Sequence, residues 1–108
     1  MYEERRRAHR VSKDLRVVIH FEDEEDVGAS RVADVSLNGI FIRTDSKVEI
    51  GTVVYLDLDI GPETIVIDGR VVRVSEGDGD GNDAGIGVEY TGIGAEARRR
   101  LTALLAST

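Results

Sequence analysis

The sequence contains no cysteine, no tryptophan and a single proline among its 108 residues. Without cysteine there is no disulfide framework, no thiolate metal site and no thiol nucleophile. That composition fits a reducing, cytoplasmic setting. Histidine occurs only as His9 and His20, with no H-E-x-x-H pattern to bring two imidazoles onto one metal. No serine stands in a G-x-S-x-G elbow, so metal-assisted and triad hydrolysis both lack a foothold. The chain reads as a non-enzyme. Its apolar runs are too short to insert into a membrane, and no apolar stretch follows the basic N-terminus as a secretory signal requires. Aromatic residues make up 5% of the chain, too few for the stacking platform of an RNA-binding barrel.

Acidic residues outnumber basic ones, giving a net charge of −7 that opposes general nucleic-acid binding, which depends on neutralising phosphates. The charge is uneven, however. Arg5, Arg6, Arg7, Arg10, Lys13 and Arg16 make the first part basic, while residues 22–26 and 76–83 are acidic. A basic segment on an acidic protein points to a local anion site. Hydrophobic residues at 41% and charged residues at 32% describe one folded domain with a modest core.

Residues 1–14 have no hydrophobic period and read as a flexible segment awaiting an anionic partner. Period-two alternation then predicts strands over residues 15–21, 30–35, 40–44, 53–60, 64–75 and 84–91. The period changes near the end, where Ile93, Ala97, Leu101, Leu104 and Leu105 recur at helical spacing. A helix over 95–105 follows, with that stripe laid across one mouth of the barrel. Six short strands and one terminal helix predict an all-β fold, a small antiparallel barrel over residues 15–108.

Residues 34–39 read Asp34-Val35-Ser36-Leu37-Asn38-Gly39 and separate two β-branched runs. In extended chain, the i, i+2 spacing places Asp34 and Ser36 on one face. Asn38-Gly39 is the pair that most readily supplies positive φ in a tight turn. An ordinary hairpin, with Asp34 and Ser36 bonding their own turn, satisfies the same residues.

Three further elements accompany this stretch: Arg6-Arg7-Ala8-His9-Arg10, Gly69-Arg70-Val71-Val72-Arg73-Val74 and Gly85-Ile86-Gly87-Val88-Glu89-Tyr90. An R-x-x-x-R element, a D-x-S-x-x-G element, a G-x-V strand and a G-I-G-V-E-Y strand, in that order, resemble the PilZ family of bacterial cyclic di-GMP receptors. The resemblance covers nearly the whole chain and implies a six-stranded PilZ-like barrel. It implies a receptor or adaptor that couples the second messenger to an unidentified effector protein by ordering its N-terminal segment. By the resemblance, Arg6 and Arg10 hold guanine and phosphate, while Asp34, Ser36 and Gly39 hold a guanine. Asn38 and Arg73 are lesser candidates. Arginine suits the ligand because its planar fork grips phosphate and the guanine edge and stacks on a base. Arg5 directly precedes the pair, and a basic residue there goes with an intercalated nucleotide dimer in similar proteins. That implies two cyclic di-GMP molecules per chain and no other cofactor. The alternative is a PilZ-like protein-interaction module that does not bind the nucleotide.

Two other features are read as structural. Asp78, Asp80, Asn82 and Glu89 have the spacing of Ca²⁺-loop ligands, but Asp83 stands where the sharp turn needs glycine. Asp57 and Asp59 alternate along a strand as its solvated face, and His20 reads as a satisfied surface histidine.

Overall fold

Val54, Leu56 and Leu58 alternate with Tyr55, Asp57 and Asp59, and a strand that separates them so cleanly buries only one face. The computed structural model describes residues 15–22, 29–44, 47–77 and 84–106. Residues 1–14, with Arg5, Arg6 and Arg10, lie outside the described residues. So do 23–28, 45–46, 107–108 and the 78–83 stretch that carries the Ca²⁺-like spacing.

Six strands form: β1 (Arg16–Phe21), β2 (Ala29–Val35), β3 (Gly39–Arg43), β4 (Val53–Ile60), β5 (Glu63–Ser75) and β6 (Gly85–Ile93). One helix, α1 (Ala95–Ala106), follows them. The strands close into a barrel in the order β1-β2-β3-β6-β5-β4, each neighbouring pair antiparallel. This is the six-stranded antiparallel barrel with a terminal helix that the sequence predicts, with strand boundaries moved by one or two residues. β6 and β5 stand between β3 and β4, so the chain crosses one end of the barrel after β3.

Among the described residues the buried core is aliphatic apart from Ser36. Every buried hydrophobic side chain is Val, Ile or Leu, and Val17, Ile42, Val54, Leu56, Leu58, Ile67 and Val71 are fully excluded from solvent. β-branched residues fit this pleated, narrow space because their rotamers are already restricted. The ladders are interrupted at three places: between Val32 and Asp34 in the β2–β3 pair, and at Asp68/Gly69 and Val71/Arg73 in the β5–β6 pair. Such irregularities bend a strand and increase its twist, and a sheet needs both to close on itself.

One expectation is corrected. Ile93 belongs to β6, opposite Ile67, and not to the helical stripe. Its apolar side chain fits either period, but Gly94 breaks the chain between strand and helix. Leu101 and Leu105 are the buried residues of α1 and join the barrel core, with Ala97 and Leu104 packed beside it. Arg100 pairs with Glu63 at the start of β5 and with Glu96 within the helix. α1 therefore sits at the end of the barrel where β5 begins, β6 ends and β2 turns into β3.

Leu101→Ala removes a fully buried anchor and should destabilise the protein by about 2–5 kcal/mol, against a smaller loss for half-buried Leu104→Ala. Urea unfolding followed by circular dichroism measures both.

Candidate functional site

In β2, Val32 faces the interior opposite Ile42, and strict alternation would send Asp34 inward as well. A carboxylate there would sit among aliphatic side chains at a prohibitive desolvation cost. The irregularity between Val32 and Asp34 inserts Ala33 as an extra residue. Beyond it Asp34 pairs with Phe41 on the outer wall, and Val35 faces inward opposite Ile40. The bulge thus returns the apolar residue to the core and aims the carboxylate outward.

The turn that follows is held from within. Ser36 is buried, with 1% of its surface exposed. Its hydroxyl oxygen accepts hydrogen bonds from the Asn38 and Gly39 N–H groups, at 3.1 and 3.2 Å. The Ser36 N–H donates to the Gly39 carbonyl at 2.9 Å, and the Ser36 hydroxyl lies 3.3 Å from the same oxygen. Tyr90 of β6 closes the clasp. Its hydroxyl lies 2.9 Å from the Ser36 carbonyl oxygen and 3.1 Å from that of Gly39, and its N–H donates to the Asn38 carbonyl at 3.1 Å.

Gly39 is needed here for close approach. A Cβ at that position would meet the Val88 carbonyl oxygen at 2.7 Å. The positive φ expected of Asn38-Gly39 is not found. Among the described residues, positive φ belongs to Gly51, Gly61 and Gly77. Hydrogen bonds to the Ser36 hydroxyl shape the turn without a left-handed residue.

Outside the barrel, a row of neighbouring positions runs from Asp34 through Phe41 and Gly87 to Arg73, across β2, β3, β6 and β5. The Arg73 guanidinium lies 4.8 Å from the Phe41 ring centroid, a cation–π contact. The glycines of β6 make room for it. A Cβ at Gly85 would strike the Phe41 ring at 2.7 Å, and one at Gly87 would meet the Arg73 Cβ at 3.3 Å. The aromatic ring therefore lies in a notch where β6 carries no side chains. Asp34, the 36–39 turn, Phe41, Arg73, Gly87 and Glu89 line one open depression of about 710 Å³. It offers carboxylates, a guanidinium and a flat face together, the groups that recognise a purine ring and an anion.

Over residues 4–107 the sequence matches the PilZ domain family. The chain belongs to the PilZ family. PilZ domains are generally non-catalytic receptors and typically bind cyclic di-GMP. No curated protein matches the chain significantly. Among solved structures it is similar to the Bacillus subtilis inhibitor of motility MotI/DgrA, at 18% identity and TM-score 0.79. That match covers 99% of this chain and 51% of the other, so the chain spans about half the length of the motility inhibitor. It is also similar to the PilZ domain with c-di-GMP of YcgR from Escherichia coli, at 18% identity and TM-score 0.75, covering 96% and 91%. The PilZ domain of CeSA from a cellulose-synthesizing bacterium matches at 20% identity and TM-score 0.67, covering 92% and 96%. At these identities the likeness concerns the fold.

The PilZ barrel brings together five of the residues singled out in the sequence: Asp34, Ser36, Asn38, Gly39 and Arg73. Arg5, Arg6 and Arg10 lie outside the described residues. Ser36, expected to present its hydroxyl beside Asp34, commits that hydroxyl to the turn. Phe41, Glu89 and the clasp of Tyr90 were not singled out as site residues. The signal for Phe41 was available, since an outward aromatic beside two strand glycines marks a covered notch. On the far wall, His20 Nε2 lies 2.9 Å from Asp57, Arg16 lies 3.3 Å from Asp59, and Thr64 donates to Asp59 at 2.8 Å. These are the solvated strand face and satisfied histidine that the sequence predicts. The Tyr55 phenol there is pushed above its ordinary pKa, chiefly by the hydrogen bond it donates to Glu22. No helix among the described residues is long and apolar enough to cross a membrane.

Tyr90→Phe removes the hydroxyl that ties the turn to β6 and should cost about 1 kcal/mol. Gly39→Ala should cost more, because backbone must move away from the Val88 carbonyl. Thermal unfolding ranks the two, and ¹H–¹⁵N spectra should localise the Tyr90→Phe change to residues 36–39.

Proposed function

We propose that the depression beside the 36–39 turn binds cyclic di-GMP, and that the chain serves as a receptor passing the signal to a protein partner. The observation that carries this reading is the gathering of Asp34, the clasped turn and the Arg73–Phe41 stack on one open face of a PilZ barrel. Asp34 accepts hydrogen bonds from guanine N1–H and the 2-amino group, a pair of donors that adenine lacks. Arg73 presents a guanidinium plane to a base or a phosphate.

The R-x-x-x-R arginines complete the site in this reading. β1 begins at the same end of the barrel as the 36–39 turn, and the Leu15 carbonyl accepts the Val32 N–H at 2.9 Å. Arg10 precedes Leu15 by five residues, so its Cα can stand no farther than about 18 Å from that of Leu15. That length of chain with an arginine side chain added is enough for the guanidinium to meet a ligand at the turn. Ligand joins the segment to the barrel, and residues 1–14 become ordered as it binds. That change in surface is the output offered to a partner.

Calorimetric titration tests the reading. Wild-type protein should bind cyclic di-GMP far more tightly than GMP, and equal affinities would overturn the assignment. Asp34→Ala should lose about 1.5–3 kcal/mol for each charge-assisted bond, and Arg10→Ala should weaken binding comparably, both with the barrel still folded. Amide exchange over residues 4–11 should slow on adding ligand.

Stoichiometry supplies a separate test. An intercalated nucleotide pair concentrates four phosphate charges, and Arg5 beside Arg6, Arg7 and Arg10 suits that load by bidentate contact and stacking. Two nucleotides per chain are expected, and Arg5→Leu should lower the ratio toward one while leaving the first site intact. An unchanged ratio at matched salt would remove that role from Arg5.

A further inference from the structure

Asp34 shares its wall with a second carboxylate. Glu89 is an exposed residue of β6, two positions beyond Gly87 on the same outer face. It stands opposite Gly39 on β3 and Arg70 on β5, and it lines the same depression as Asp34. A glutamate facing an arginine across a ladder would ordinarily be a cross-strand ion pair. Among the described residues that pair is not formed: Glu89 makes no salt bridge with Arg70 or any other cation. Its carboxylate stays available to the depression.

We propose that Glu89 is a second guanine-reading carboxylate, so that this wall recognises the Watson–Crick edges of two guanines, one at Asp34 and one at Glu89. The inference rests on the reading of the depression as a cyclic di-GMP site. An ionised carboxylate only accepts hydrogen bonds. Guanine meets it with two adjacent donors, N1–H and the 2-amino group, whereas adenine offers one amino donor beside an N1 lone pair. Each carboxylate is therefore a guanine-against-adenine filter, and two of them filter both bases of a cyclic dinucleotide.

The spacing suits this role. Asp34 and Glu89 are two strands apart, about 10 Å across the sheet, and offset along it. Two bases can be read separately at that distance. Phe41, beside Asp34 on the intervening strand, and the Arg73 guanidinium over its ring supply a flat surface in the same depression. Gly39, directly beside Glu89, carries no side chain to block a base reaching that carboxylate. Arg70 and Arg73 on β5 supply the positive charge that phosphates require next to two carboxylates.

The test compares three ligands, cyclic di-GMP, the mixed cyclic guanylate–adenylate and cyclic di-AMP, by titration against wild type, Glu89→Gln and Arg70→Gln. Wild type should favour cyclic di-GMP over the mixed nucleotide by about tenfold or more. Glu89→Gln should bind those two equally, both near the wild-type affinity for the mixed ligand, and still prefer either to cyclic di-AMP through Asp34. Arg70→Gln, which removes charge facing the phosphates common to all three, should weaken the three ligands alike and so keep the wild-type ratio. A Glu89→Gln protein that retains the wild-type preference overturns the role of Glu89 and leaves the nucleotide reading standing. The same follows if Arg70→Gln also erases the preference, or if Glu89→Gln loses all three ligands at an unchanged melting temperature. Failure of wild type to bind cyclic di-GMP overturns both readings together.

Discussion

A six-stranded barrel is too narrow to hold anything but its own side chains, and here the buried hydrophobic ones among the described residues are all aliphatic. Among the described residues no carboxylate or arginine is buried inside, and burying one unpaired would cost more than such a domain can spare. Binding chemistry is therefore confined to the outer wall and the ends. From that constraint follow the placement of Asp34, the shape of the turn after it and the glycines of β6.

The outer wall of a barrel is convex, and a convex surface holds a ligand poorly. Three departures from regular structure hollow it out. The bulge at Ala33 turns Asp34 to the outside while Val35 keeps its place in the core. Gly85 and Gly87 clear a trough across β6, in which the Phe41 ring lies beneath the Arg73 guanidinium. Tyr90 and Ser36 fix the 36–39 turn as one wall of the hollow. Each device is local, and each leaves the aliphatic core untouched.

The architecture was largely legible in the sequence, because alternation reports directly which face of a strand is buried. Val54 through Leu58 identify β4 without ambiguity, and Leu101 with Leu105 identify the face of α1 that docks. Ile93 was misplaced because one apolar residue at a strand–helix junction fits both periods. The site was legible as a set of residues and not as a geometry. Asp34 and Ser36 at i, i+2 looked equivalent, but alternation cannot foresee an inserted residue or the cost of burying a carboxylate beside Val32. Asn38-Gly39 promised a left-handed turn, and the need for glycine came instead from the Val88 carbonyl on a strand some 50 positions away in sequence. Contacts of that range leave no periodic trace.

The attachment of α1 has a consequence for the hierarchy of motions. Every strand is locked on both sides by a neighbour in a closed ladder, so no strand can leave without breaking two rows of hydrogen bonds. The helix takes part in no ladder and is held by Leu101, Leu105 and the Arg100–Glu63 pair. Elements tied in by side-chain packing alone stand toward the low end of a protein's range of local stabilities. Because α1 rests on the end where β2 turns into β3, its detachment would uncover core residues there while the strand network stays whole. Among the described elements, the helix is thus the one that can part from the barrel with every ladder intact, and it rests on the end that carries the 36–39 turn.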